Sequence, residues 1–166
     1  LAQANIADEI LTTISGQRLT IRHRNNVLIK SSPVIVNITM PDISGLNVSG
    51  SGQIFLKNQL LTNDLDLNVS GSGDIAIPVL EAGNISTSIS GSGKISVGSG
   101  TALLLDSRIS GSGDLDMLQV MTQTVNTTTS GSGTTSVYAV NSLFAKISGS
   151  GNVYYRGNPA IESEIS

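Results

Sequence analysis

Apolar and polar residues alternate along most of the chain in short runs, and Ser-Gly-Ser-Gly punctuates the runs at near-regular intervals. The tetrad begins at Ser49, Ser70, Ser90, Ser110, Ser130 and Ser148, at spacings of 21, 20, 20, 20 and 18 residues. The residues just before it are Val48, Val69, Ile89, Ile109, Thr129 and Ile147, and four positions further back stand Ser44, Leu65, Ile85, Leu105, Val125 and Leu143. The second residues after it are Ile54, Ile75, Ile95, Leu115, Thr135 and Val153, followed two further on by Leu56, Ile77, Val97, Met117, Val137 and Tyr155. The columns between are polar: Asn47, Asn68, Ser88, Arg108, Thr128 and Lys146 before the tetrad, then Gln53, Asp74, Lys94, Asp114, Thr134 and Asn152 after it. A period of 2 within an arm and of about 20 between arms predicts stacked coils of parallel strand. The expected fold is all-β, a parallel β-helix (solenoid), right-handed if its crossovers take the usual hand.

The tetrad chemistry suits a corner that bends at the same place on every level. Glycine reaches positive φ without a Cβ clash, and serine is small and bonds locally. A Gly/Ser linker would instead be one continuous tract. Two strand arms, the corner and a third side make one coil. The third sides fall at 58–63, 78–83, 98–101, 118–123 and 138–141; they vary in sequence and length and read as a loop-bearing face. At about 4.8 Å per level, six tetrads span roughly 25–30 Å.

The pattern divides residues 1–166 as one solenoid domain. Residues 49–151 hold the six regular repeats, 1–48 read as irregular N-terminal coils or a cap, and 152–166 as a C-terminal coil cut short. Gln17–His23 and Val34–Met40 both alternate, Asn25-Asn26 and Ser31-Ser32-Pro33 are turn signals, and 2–11 fits either a short helix or a strand. Four of the nine cations, Arg18, Arg22, Arg24 and Lys30, lie in this first segment, where charge protects an open edge from aggregation. The chain starts at Leu1, not Met, and stops at Ile165-Ser166 as another arm begins. Both ends therefore read as processing boundaries, with any targeting peptide outside this sequence.

Composition narrows the chemistry. Charged residues are 13%, and the net charge is −3, which argues against nucleic acid as a partner. Aromatics are 3% with no Trp, so the core is left to Ile, Val and Leu. No apolar run approaches the ~18 residues of a membrane span. The absence of Cys excludes disulfide, zinc-thiolate and Cys-nucleophile chemistry.

The unit Ile/Val-Ser-Gly-Ser-Gly-Asp/Lys-Ile-x-Ile, the lead-in Met40-Pro41-Asp42 to Leu46-Asn47-Val48, and the closing Gly151-Asn152-Val153-Tyr154-Tyr155-Arg156-Gly157-Asn158-Pro159 together resemble the family called putative auto-transporter adhesin, head GIN domain. The resemblance covers roughly residues 15–166. It implies a right-handed β-solenoid of the Bacteroidetes envelope, exported to the periplasm or cell surface. It implies no catalytic residue and no cofactor.

Several residues invite functional readings. The Asp74–Lys94–Asp114 column would stack charges of alternating sign. The ordinary expectation for it is a ladder of exposed pairs worth well under ~1 kcal/mol each. A calcium site is disfavoured, because Lys94 occupies the same column. Hydrolases on β-helices need two acids at about 5–9 Å, whereas Asp66 and Asp106 share a column two levels apart, ~10 Å at the usual strand spacing. Asp64 with Asp66, and Asp114 with Asp116, lie on single arms and project outward. The lone imidazole, His23, falls in the irregular segment, so no serine nucleophile has an evident base. Asn-x-Ser/Thr occurs at Asn37, Asn47, Asn68, Asn84 and Asn126; at Asn47 and Asn68 it is a by-product of the repeat. Tyr154 and Arg156 form the best surface-contact candidate, since exposed Tyr beside Arg is a favoured recognition pair. Tyr155 falls on an inward column and is expected in the core.

The expected function is a non-enzymatic, extracytoplasmic adhesin-like or scaffolding module. Its Thr, Ser and Asn ladders would serve weak, multivalent contact with glycan or a surface protein, with self-association through the solenoid ends. No catalytic, cofactor or metal residues are assigned. The alternatives are a carbohydrate-active enzyme using a surface acid pair, and an inert spacer.

Overall fold

The structure is a computed structural model that describes residues 9–24 and 34–166. Those residues form thirteen strands and no helix. They fall into two units, up to Met40 and from Pro41 onward.

In the second unit the chain is wound into a parallel β-solenoid of about six turns. One stack of strands runs β3 (Gly45–Gly50), β5 (Leu60–Gly71), β7 (Leu80–Gly91), β9 (Gly100–Gly111), β10 (Asp114–Gly131), β11 (Thr134–Gly149) and β13 (Ala160–Ile165). The other arm stacks β4 (Gln53–Phe55), β6 (Asp74–Ile77), β8 (Lys94–Val97), the first residues of β10 and β11, and β12 (Asn152–Arg156). All these pairs are parallel. The six corner serines are in register, Ser49↔Ser70↔Ser90↔Ser110↔Ser130↔Ser148.

The two glycines of a corner serve different ends. Gly71, the first of its tetrad, has φ +117°, and a Cβ there would stand 2.6 Å from the carbonyl oxygen of Gly50 one level away. Gly73, the second, has no such φ; a Cβ on it would strike the Gly52 carbonyl oxygen and the side chain of Val48. The corner backbone continues the ladder, with Ser72 N donating to Gly50 O at 2.9 Å and Asp74 N to Gly52 O at 3.1 Å.

The core is the set of inward columns. Leu65, Ile85, Leu105, Val125 and Leu143 are buried, as are Ile75, Ile95 and Leu115. Full burial of such side chains is worth about 1.5–3 kcal/mol each. The aliphatic rows are interrupted by hydroxyls. Thr87, Ser107 and Thr127 follow Leu67 in one inward column, and Thr129 and Thr135 occupy two others.

Three expectations are corrected. The third side is mostly strand, not loop. Leu60 pairs with Leu80, Leu80 with Gly100 and Gly100 with Val120, while β10 and β11 run through the side without a break. Buried Leu60, Leu80, Val120, Ala102, Thr122 and Ala139 turn inward there and close the core. The length changes are absorbed as register shifts between Met117 and Met121 and between Thr122 and Thr124. Secondly, β1 (Ile10–Ser15) and β2 (Arg18–His23) form an antiparallel hairpin, not one side of a coil. Gly16, at φ +57°, closes its two-residue turn. Leu19 and Ile21 do share a half-buried face, as their alternation implies. Thirdly, Val34–Met40 is not a strand, although its alternation would fit one. Asn25-Asn26, Lys30, Ser31-Ser32-Pro33 and most of 2–11 lie outside the described residues.

Candidate functional site

The outward columns carry the polar chemistry, and their geometry follows from the stacking. Side chains at one column position on successive levels sit one strand spacing apart, about 4.8 Å, so short amides reach across. Asn84 Nδ2 donates to Asp64 Oδ1 at 2.8 Å, Asn126 Nδ2 to Asp106 Oδ1 at 2.7 Å and Gln53 Nε2 to Asp74 Oδ2 at 2.9 Å, and Gln59 Nε2 reaches diagonally to Glu81 Oε1 at 2.9 Å. Asn141 Nδ2 to Gln123 Oε1 at 3.0 Å and Ser142 Oγ to Thr124 Oγ1 at 3.2 Å extend the same pattern to neutral partners.

The acids do not converge. Asp66 and Asp106 share a column with Ser86 between them. Asp74, Lys94 and Asp114 are aligned neighbours, but the ion pairs within 4 Å among the described residues are Arg24–Glu9 and Lys146–Glu164. The charge ladder is thus a column without closed pairs; Asp74 turns to Gln53 instead. No group of three potential metal ligands occurs among the described residues. His23 is exposed, with Nδ1 3.0 Å from the carbonyl oxygen of Arg24.

Tyr154 and Arg156 lie on the same side of β12, but Arg156 turns away. Its guanidinium stands 5.3 Å from the centre of the Tyr138 ring, its register partner one level below, and its Nη1 donates to Gln119 Oε1 at 3.1 Å. Tyr154 is 59% exposed in the column of Ser136 and Asp116. Tyr155 is in the inward column, opposite Val137, yet remains 47% exposed. Among the described residues β12 pairs with β11.

A second constellation was missed in the sequence. Asp106, Asn126 and Phe144 occupy one outward column on three consecutive levels, with Arg108 and Thr128 in the column two residues along. These five line a shallow depression of about 260 Å³, and Asn126 and Phe144 also line an adjoining one of about 420 Å³. The available signal was Phe144 itself, an aromatic in a column otherwise filled by Gly45, Asp66, Ser86, Asp106, Asn126 and Glu162.

Among curated proteins the sequence has no match. Among solved structures it is similar to a putative adhesin from Bacteroides fragilis, 24% identical with a TM-score of 0.85, covering 98% of this chain and 74% of that one. A putative adhesin from Parabacteroides distasonis is 26% identical at TM-score 0.78, over 97% and 76% of the two chains. A protein from the same organism titled a putative lipid binding protein is 25% identical at TM-score 0.70, over 97% and 77%. A family model matches residues 1–159, and with the fold this shows that the chain belongs to the family described as putative auto-transporter adhesin, head GIN domain.

Proposed function

We propose that the chain is a non-enzymatic, extracytoplasmic recognition module whose rigid polar ladders contact glycan or protein on a surface. The observation that carries this reading is the engagement of the outward carboxylates. Asp64, Asp74, Glu81 and Asp106 each accept a side-chain amide from the adjoining level. Such bonds hold the carboxylates in line along the solenoid, whereas hydrolysis requires an acid pair facing across a cleft. What the arrangement does offer is a flat, repeated display of hydroxyls, amides and carboxylates at one strand spacing. A repeated surface gains by multivalency, since each weak contact raises the effective concentration of the next. The adhesin family supports the same direction. Tyr154 is an exposed aromatic of β12 and adds a contact point beside Arg156, whose guanidinium is held by Tyr138 and Gln119. Self-association, on this reading, runs through the solenoid ends.

The test is multivalent display. The protein, biotinylated on a lysine and tetramerised on streptavidin, is applied to a glycan microarray and to immobilised cell-surface proteins. Specific binding without release of reducing sugar is expected. Turnover of a polysaccharide that Asp64→Asn or Asp106→Asn abolishes would establish an enzyme instead. Inertness in every format would leave a spacer.

A further inference from the structure

We infer that the depression at Phe144 is a subsite for a neutral pyranose ring, with Phe144 as its stacking platform and Asp106 and Asn126 as its hydroxyl acceptors. The inference rests on the surface-contact reading and narrows it to one ligand class and one place.

Phe144 stands at the shared wall of two adjoining depressions and is half-buried. A half-buried ring in a polar column keeps part of its surface for contact. The ring's π face is electron-rich, and the axial C–H face of a pyranose is apolar and weakly positive, so the two attract and exclude water together.

The polar groups beside the ring match the sugar's edge. Asn126 spends one N–H on Asp106 Oδ1 at 2.7 Å. That bond fixes both planes and leaves Asp106 Oδ2 and the Asn126 carbonyl oxygen as acceptors on neighbouring levels. Two acceptors at about one strand spacing suit two vicinal hydroxyls, each donating one hydrogen bond. Thr128 and Arg108, on the same outward face, add a hydroxyl and guanidinium donors for the ring and glycosidic oxygens.

Size and charge favour a neutral sugar. At about 260 Å³ the depression is smaller than the ~300–1,000 Å³ of sites for drug-sized ligands. It therefore suits one ring, and the adjoining depression toward Glu162 offers room for a second. Asp106 and Arg108 balance each other there, and Lys146 is paired with Glu164 at 2.6 Å. A shallow, open site of this kind predicts weak monovalent binding, with Kd on the order of 1–10 mM.

The experiment is an NMR titration of the isotope-labelled chain with methyl glycosides of glucose, galactose and mannose, to several times that Kd. The expected result is saturable shifts at the Asn126 side-chain amide and at residues 106, 108, 128 and 144 with at least one sugar. Phe144→Ala should weaken binding at least tenfold, Phe144→Tyr should retain it, and unchanged melting of both variants would show that the fold is intact. Shifts that map elsewhere, or that survive Phe144→Ala, would overturn the subsite while leaving the surface-contact reading in place. No saturable shift with any of the three sugars would also overturn it. A tetramer that still binds the array with Phe144→Ala would then show that only the subsite had failed.

Discussion

Asn126 donates its side-chain amide to the carboxylate of Asp106, 20 residues earlier in sequence and one level away in space, at 2.7 Å. The pair is in strict register, Asn126↔Asp106, so one residue type at one column position determines what its neighbour can do. Asn126→Asp would set two carboxylates at the same separation. Like charges directly opposite in a sheet are destabilising, and the lost hydrogen bond adds to the cost. The expected loss is about 1–2 kcal/mol in urea unfolding at neutral pH. High salt should recover the part due to repulsion, since screening shortens to about 3 Å at 1 M. A loss indifferent to salt would assign the whole effect to the hydrogen bond.

The corner glycines make a sharper test. At Gly91, φ is +118°, and a Cβ would be driven into the Gly71 carbonyl oxygen of the adjoining level. Neither the backbone conformation nor the space admits alanine. Strain at such a φ is worth about 1–3 kcal/mol, and the backbone clash adds to it. Gly91→Ala is expected to cost roughly 3 kcal/mol or more, or to prevent folding. Ser92→Ala, at the exposed position beside it, should cost less than about 0.5 kcal/mol. Equal effects would show that serine, not glycine, governs the corner.

How far the fold was legible follows from these same residues. The tetrad's positive φ recurs on all six levels, and the Cβ exclusion seen at Gly73 recurs at Gly93, Gly113, Gly133 and Gly151, so together they leave a repeat in the sequence. The inward columns beside it were legible because burial demands apolar residues at a period of 2. The third side obeys no such repeat. Its inward positions run Leu60, Leu80, Gly100, Val120 and its bulges shift register, so length variation looked like loop. The β1–β2 hairpin was hidden differently: Gln17–His23 alternates just as a coil arm would, and only Gly16 marked an antiparallel turn. For the candidate site, Tyr154 and Arg156 stand out in the sequence by residue type. The sequence does not show that Arg156 reaches Tyr138 and Gln119, because those contacts cross levels 18 and 37 residues apart. The Phe144 depression needed three levels aligned at once.

Arg156 gives a third test. Its guanidinium lies over Tyr138 and bonds Gln119, fastening the terminal coil to two earlier levels. Arg156→Lys keeps the charge but loses the planar fork. The expected cost is about 0.5–1 kcal/mol, a figure appropriate to an exposed cation–π contact. Hydrogen exchange should show it as faster opening of Asn152–Arg156, with β7 and β9 unchanged. A uniform acceleration across the solenoid would contradict a local fastening role.

The hydroxyls of the core make the last test. Thr87 Oγ1 and Ser107 Oγ are buried on adjoining levels of one column, and neither has a hydrogen-bond partner. Thr127, next in that column, reaches Thr135 Oγ1 at 3.4 Å, and Thr129 Oγ1 lies 3.5 Å from the same atom. The two sets should respond oppositely to removal of the hydroxyl. Burying a hydroxyl without a partner costs about 1–3 kcal/mol by mutational measures, and Thr→Val preserves the shape. Thr87→Val should therefore stabilise by about 1 kcal/mol, read as a rise in Tm of roughly 2–4 °C for a chain of this size. Thr135→Val alone removes the common partner of Thr127 and Thr129, leaving two buried hydroxyls unmatched, and should destabilise by about 1–2 kcal/mol. Replacing Thr127, Thr129 and Thr135 together by valine should return stability to the starting level or above it, because no hydroxyl of that set is then left without its partner. Additivity of the three substitutions in thermal unfolding would show that they act independently and that the 3.4–3.5 Å contacts contribute nothing.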